Sequence, residues 1–168
     1  MSLTVQFNRA LAHDDAPTTA YLWVKVVAPK ASSKLQRTPL NLALVLDRSG
    51  SMEGEKLRLA LHAADQAIRS LQPTDRVAVV IYDNQVDVLV ATSLATSETR
   101  ARAQAALRSV TARGGTNLSS GWLAGCEQVG QELGSDQVAR CLLLTDGQAN
   151  EGITDKTVLA TKASELRR

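Results

Sequence analysis

The segment L-V-L-D-R-S-G-S-M-E-G, from Leu44 to Gly54, joins a continuous apolar run to a cluster of side-chain oxygens. Asp47, Ser49 and Ser51 fall at every second position, and the glycine between the serines gives the backbone the freedom to turn their oxygens toward one point. An apolar run without alternation is typical of a strand that is covered on both faces, as in parallel sheets. The segment therefore predicts a buried strand that ends either in an ion site or in a polar turn that caps the next helix.

From residue 40 onward, short apolar runs alternate with amphipathic segments. Continuous apolar runs predict strands, and apolar positions three or four residues apart predict helices. The predicted strands cover residues 40–46, 76–82, 86–91 and 138–145, and the predicted helices cover 55–71, 98–110, 118–133 and 154–168. This order predicts an α/β domain with a mainly parallel, doubly wound, Rossmann-like sheet, in which residues 86–91 form an antiparallel edge strand.

Two of these helices show a clear apolar stripe at helical spacing. In the first helix the stripe consists of Leu57, Leu61, Ala64, Ile68 and Leu71. In the third helix it consists of Leu118, Trp122, Cys126, Val129 and Leu133. We expect both stripes to face the sheet.

The first 39 residues differ in pattern from the rest of the chain. Residues 3–8 alternate between apolar and polar side chains, and residues 20–28 are mostly apolar. These patterns predict an N-terminal pair of β-strands within residues 1–30, followed by a polar linker over residues 31–39 and the main domain over residues 40–168.

The composition limits the classes of function. The 168 residues, 44% of them hydrophobic, suffice for one domain with a substantial core. A net charge of +2 gives no electrostatic reason to bind nucleic acid or a membrane surface, and no apolar run has the length of a membrane span. The N-terminus lacks the pattern of a secretion signal, and Cys126 and Cys141 lack metal-ligand or disulfide spacing. We therefore expect a cytoplasmic protein with reduced thiols.

Side-chain oxygens follow two of the most apolar strands. Asp47 and Asp146 each end such a strand, and the loop R-G-G-T-N places Thr116 before a helix. In open α/β sheets the carboxyl ends of the strands are where ligands bind. Together with Ser49 and Ser51, these groups form a set of hard oxygen donors that suits Mg²⁺ or Ca²⁺.

The segments D-R-S-G-S, G-G-T-N and T-D-G resemble, in order and spacing, the three parts of a metal-ion-dependent adhesion site (MIDAS), which belongs to von Willebrand factor type A (vWA) domains. The resemblance implies Ser49, Ser51 and Thr116 as direct ligands of Mg²⁺, with Mn²⁺ and Ca²⁺ as alternatives. It implies that Asp47 and Asp146 hold the metal largely through water. It further implies a protein partner that offers an Asp or Glu carboxylate, and, for bacterial intracellular members, partnership with an AAA+ ATPase system.

Arg48 and Met52 occupy the positions between and after the predicted ligands, where they either contact the partner or pack against the sheet. An enzyme is not predicted, because the sequence has no complete phosphate-binding loop and no histidine placed to activate a serine. Two alternatives stay open, a Mg²⁺-dependent phosphate-ester hydrolase that uses the same residues and a scaffold with a vestigial site.

The predicted strand over residues 138–145 raises a question of completeness. The resemblance implies further strands and helices after the last predicted helix, and without them this strand would form an unpaired apolar edge. Such an edge favours association. We expect a fragment of a longer protein or completion by a second chain, unless the last helix covers the edge.

Overall fold

A computed structural model describes residues 2–7, 21–27, 37–132 and 137–166. The chain divides into two compact units, residues 1–37 and residues 38–168. In the first unit, β1 (Ser2–Phe7) pairs antiparallel with β2 (Leu22–Val27), with Val5 opposite Val24. This is the strand pair that the N-terminal alternation predicts. The segment between the two strands, and most of the predicted linker, lie outside the described residues.

In the second unit, the described residues form a four-stranded sheet with helices on both faces. Its elements are β3 (Leu40–Asp47), α1 (Glu55–Ser70), β4 (Arg76–Tyr82), β5 (Val86–Leu94), α2 (Ser97–Arg108), α3 (Leu118–Gly130), β6 (Val138–Leu144) and α4 (Lys156–Leu166). The strand order is β5-β4-β3-β6. Strands β3, β4 and β6 are parallel, and β5 is antiparallel to β4. The predicted α/β class and the antiparallel edge strand are confirmed.

Strands β3 and β4 are buried because both faces of the sheet are covered. Alternate residues of β3 point to opposite faces. Leu44 belongs to the core on the side of α1 and α2, whereas Val45 packs on the side of α3. Burial of an aliphatic side chain of this size stabilises the fold by roughly 1.5–3 kcal/mol. Coverage on both faces is why the sequence of β3 shows no polar alternation.

Leu118 and Val129 of the predicted apolar stripe of α3 pack in the core, and Leu133 lies outside the described residues. Helix α3 also meets the sheet with two glycines that the predicted stripe does not include. A Cβ atom added to Gly121 would lie 2.9 Å from the Cβ of Tyr82 and closer still to its ring. At Gly125 an added Cβ would lie 2.9 Å from Cys141 Sγ. Trp122 is only half-buried at the flank of the contact. The backbone of α3 can approach the sheet this closely only because these two positions have no side chain.

The strand predicted over residues 138–145 is an edge strand in the structure. Among the described strands, β6 pairs only with β3, and its Leu142 is 45% exposed. Helix α4 is mostly exposed, and its Leu159 and Ala163 line an apolar cavity of about 300 Å³ with Trp122 and Leu143. In the part of the chain that is described, no helix has both the length and the apolar character that a membrane crossing needs.

Candidate metal centre at the carboxyl end of the sheet

Asp47, the last residue of β3, is fully buried and fixed by three hydrogen bonds. Its Oδ1 accepts from the backbone N–H of Ser49 at 2.9 Å. Its Oδ2 accepts from the Thr145 hydroxyl at 2.7 Å and from the Tyr82 hydroxyl at 3.2 Å. Burial, together with the nearby Asp47 carboxylate, raises the pKa of Tyr82, so its phenol keeps the donated proton. The protein thus orients this carboxylate from β4, from the residue that follows β6 and from the loop after Asp47 itself.

The two serines of D-R-S-G-S present their hydroxyls side by side. A short 3₁₀ turn (Gly50–Met52) follows Ser49, and it brings Ser49 Oγ to 3.2 Å from Ser51 Oγ. Adjacent ligands of an octahedral Mg²⁺ with bonds of about 2.1 Å lie roughly 3 Å apart. Ser49 is buried, whereas Ser51 is exposed. The pair therefore has the spacing for two neighbouring ligands at a site that is open on the Ser51 side.

The G-G-T-N loop is held against the D-R-S-G-S segment by backbone hydrogen bonds. The N–H of Gly50 donates to the carbonyl of Gly114 at 3.0 Å, and the N–H of Arg113 donates to the carbonyl of Arg48 at 2.7 Å. Gly114 has a φ of +69°, a left-handed conformation that glycine adopts without strain. Buried Thr116 follows in this loop, so the loop adjoins the serine segment at the same end of the sheet.

Asp146, which follows β6, carries the second carboxylate. Its Oδ2 accepts from Lys56 Nζ at 2.8 Å, and the Ser51 side chain is among the groups that lower the pKa of this carboxylate. The hydrogen bond from Lys56 is the largest of the effects that hold the pKa of Asp146 below its usual range. Asp146 therefore stays ionised beside Ser51.

Several residues that support the site were not predicted. Tyr82 and Thr145 hold Asp47, and Asn150 accepts a hydrogen bond from the Thr116 N–H at 2.7 Å. Lys56 lies in the first turn of α1 and reaches the site across 90 residues of sequence. The role of Thr145 could have been inferred from its position beside Asp146 at the end of an apolar strand. The other three contacts depend on long-range packing that no local pattern records.

Arg48 and Met52 are both buried, which favours the predicted alternative of inward packing, and partner contact by these residues stays an untested prediction. Arg48 Nη2 donates to Asp87 at 2.6 Å, and Arg48 Nε lies 2.8 Å from Asp83 Oδ2 in an ion pair without hydrogen-bond geometry. Met52 is 3% exposed and packs in the core between the sheet and α1. Asp83 in the turn after β4 and Asp87 at the start of β5 are the acidic partners of the buried guanidinium.

The donor set fits a hard divalent cation. Within residues 2–7, 21–27, 37–132 and 137–166, no three His, Cys, Asp or Glu side chains gather as a metal-binding group. The candidate site instead combines hydroxyl oxygens with two carboxylates, Asp47 and Asp146. Oxygen donors of this kind suit Mg²⁺, Mn²⁺ or Ca²⁺ better than a metal that prefers thiolate.

Comparison with known proteins gives one consistent result. The family model of the von Willebrand factor type A domain matches residues 42–148. An uncharacterized protein of Synechocystis sp. is 34% identical over 155 residues, which cover 90% of this chain and 36% of that protein.

Two solved structures share the fold. The von Willebrand factor type A structure from Catenulispora acidiphila is 22% identical, with a TM-score of 0.64, over 98% of this chain and 37% of that one. Proximal thread matrix protein 1 from the mussel byssus, described with a zinc-occupied MIDAS motif, is 18% identical, with a TM-score of 0.60, over 76% of this chain and 36% of that one. This chain thus spans little more than a third of each of these three proteins. Since the family model covers more than half of its length, the chain belongs to the von Willebrand factor type A domain family.

Proposed function

We propose that this domain binds a protein partner through a divalent cation, with Mg²⁺ as the first choice. Its ligands and supporting carboxylates are Asp47, Ser49, Ser51, Thr116 and Asp146. Domains of this family commonly mediate protein–protein interactions, and they often bind a divalent metal at this place in the fold. The observation that carries the proposal is the 3.2 Å separation of the two serine hydroxyls beside a buried, fully oriented carboxylate.

The carboxylate and the serines of the proposed site have different roles. Asp47 is engaged by protein donors at both oxygens, which suits an outer-shell role, in which a carboxylate contributes charge through water. Ser49 and Ser51 offer neutral oxygens, so these direct ligands add no negative charge at the cation, and the charge of Asp47 and Asp146 acts on it from a longer distance. When bound, Mg²⁺ supplies a positive ligation point that an Asp or Glu carboxylate of a partner can complete. The exposure of Ser51 leaves the approach to this point open.

The burial of Asp47 also favours binding over catalysis. A phosphoryl-transfer nucleophile must reach its substrate, but this carboxylate is fully buried and accepts from three protein donors. An acid or base would also have to act beside it. Tyr82, the ionisable donor in contact with Asp47, has a raised pKa and is therefore not a general base at neutral pH. We therefore rank the hydrolase below the binding module.

A protein is the partner class that fits this site, and the resemblance to bacterial members favours an AAA+ ATPase system.

Strand β6 supports a second contact, which we rank below the contact at the metal site. Its outer side has no partner among the described strands, and Leu142 is 45% exposed there. Self-association or completion by another chain would pair this edge.

Calorimetric titration with Mg²⁺ tests the proposed site. We expect measurable binding to the wild-type chain and its loss in Asp47→Ala, Thr116→Ala and Ser51→Ala. Ser70→Ala is the matched control, because Ser70 is an exposed serine at the other end of α1, where its hydroxyl bonds to the Ala67 carbonyl. Unchanged Mg²⁺ affinity in the three site variants would overturn the assignment. Capture of the partner should likewise be lost on adding a chelator.

A further inference from the structure

Lys56 is the one cation whose charged group contacts two residues of the proposed site, among the residues that the structure describes. Its Nζ lies 2.8 Å from Asp146 Oδ2 and 3.1 Å from the backbone oxygen of Ser51. The side chain is 52% exposed, whereas that of Asp146 is 11% exposed. The ammonium is therefore held by charge and hydrogen bonds on a flexible stem, and packing does not fix it in place.

We propose that Lys56 is a tethered counter-cation that lowers the affinity of the empty site for a divalent cation and raises the affinity of the loaded site for a partner carboxylate. This inference rests on the proposed function, because it concerns the same site. It goes further because it names a residue that affects both metal binding and the later binding of the partner carboxylate, in opposite directions.

The first half of the inference follows from the contact with Asp146. In the structure, the ammonium neutralises one of the two carboxylates that would attract a divalent cation. Like charges repel at short range. When the cation enters, the Lys56 ammonium must therefore either move away from Asp146 or remain close to a like charge at a cost in free energy. Either response weakens metal binding relative to a site without Lys56. The half-exposed stem allows the ammonium to move toward solvent without disturbing the core.

The second half follows from the charge of the loaded site. Asp47 and Asp146 contribute two negative charges, which a divalent cation cancels. The nearby Arg48 does not alter this balance, because it is committed to Asp83 and Asp87. For the cation, these two carboxylates and Lys56 taken together, the net charge is +1, and without Lys56 it is zero. A net positive site at the protein surface attracts an acidic side chain, and the attraction weakens with salt.

The test compares Lys56→Met with Lys56→Arg, which keeps the charge. Arg58→Met is the matched control, because Arg58 is an exposed cation in the same turn of α1 that pairs with Glu55 and not with Asp146. Calorimetry should show Mg²⁺ binding about tenfold tighter in Lys56→Met, and little change in Lys56→Arg or Arg58→Met. The Mg²⁺-saturated proteins are then titrated with a capped aspartate, and binding is followed by NMR. The capped aspartate should bind several-fold more weakly to Lys56→Met than to the wild type.

The outcomes separate this inference from the function on which it rests. If the wild type binds Mg²⁺ and Asp47→Ala does not, but Lys56→Met matches the wild type in both titrations, the inference is wrong and the site stands. If Lys56→Met binds Mg²⁺ more weakly, Lys56 supports the metal and the inference is reversed. If the wild type binds no Mg²⁺, the proposed function fails, and the role of Lys56 fails with it. A thermal melt followed by circular dichroism checks that each variant is folded.

Discussion

Replacing Gly121 with alanine should destabilise the domain because α3 lies directly on the ring of Tyr82. The added Cβ would lie 2.9 Å from the Tyr82 Cβ and closer still to the ring carbons. Carbon atoms in contact are normally separated by about 3.5–4.0 Å, so the overlap is on the order of 1 Å. Tyr82 cannot turn away, because it is fully buried in β4 and its hydroxyl bonds to Asp47. The helix or the strand must therefore shift.

Overpacking of this kind costs about 1–3 kcal/mol of the free energy of unfolding. Alanine is intrinsically better than glycine in a helix by up to about 1 kcal/mol, so with the full gain we expect a net loss of up to about 2 kcal/mol. Gly130→Ala is the matched control. It is the same change in the same helix, at an exposed position where an added Cβ meets no atom within 4 Å. This control should be neutral or slightly stabilising.

Urea unfolding of the two variants and the wild type, followed by circular dichroism, measures both effects. The wild-type slope with urea should be retained, since the exposed surface on unfolding changes little. Gly121→Ala should also bind Mg²⁺ more weakly than Gly130→Ala, because a displaced Tyr82 loosens Asp47. If the free energies of unfolding of the two variants differ by less than about 0.5 kcal/mol, the close approach of α3 to the sheet does not cause the predicted loss of stability, and this reasoning is refuted.

Two further predictions concern stability. Thr96 accepts a hydrogen bond from the Thr99 N–H as the N-cap of α2, so Thr96→Ala should cost about 1 kcal/mol in urea unfolding, and an unchanged midpoint would contradict the cap. Burial raises the pKa of Asp83, but the hydrogen bond from Arg113 and the charge of Arg48 outweigh burial, so the pKa lies below its ordinary value of 3.8. The Asp83 carboxylate therefore stabilises the fold above about pH 4, and this contribution is lost as the pH falls through the lower folded-state pKa. The free energy of unfolding of Asp83→Asn should fall less steeply below pH 4 than that of the wild type, and equal slopes would refute this assignment.

Local sequence patterns were sufficient for the elements whose side chains themselves carry the signal. The buried strands β3 and β4 were predictable because coverage on both faces demands an uninterrupted apolar run. The apolar face of α1 was predictable from its helical spacing, and Leu57, Ala64 and Ile68 are buried as expected. The candidate ligands were predictable because hydroxyls and carboxylates at strand ends converge wherever parallel strands end together.

The contacts that tune the site depended on tertiary structure. Hydrophobic periodicity is defined by apolar side chains, so a glycine that packs closely gives no signal in it. The pattern therefore placed Trp122, and not Gly121, on the face of α3 that meets the sheet. Arg48 is buried because the turn after β4 brings Asp83 to it, and a charged residue within D-R-S-G-S gives no local sign of that partner. Lys56 reaches Asp146 only after α1 has packed on one face of the sheet and β6 has paired with β3. Such pairs are set by the free energy of packing distant segments, which no short window of sequence contains.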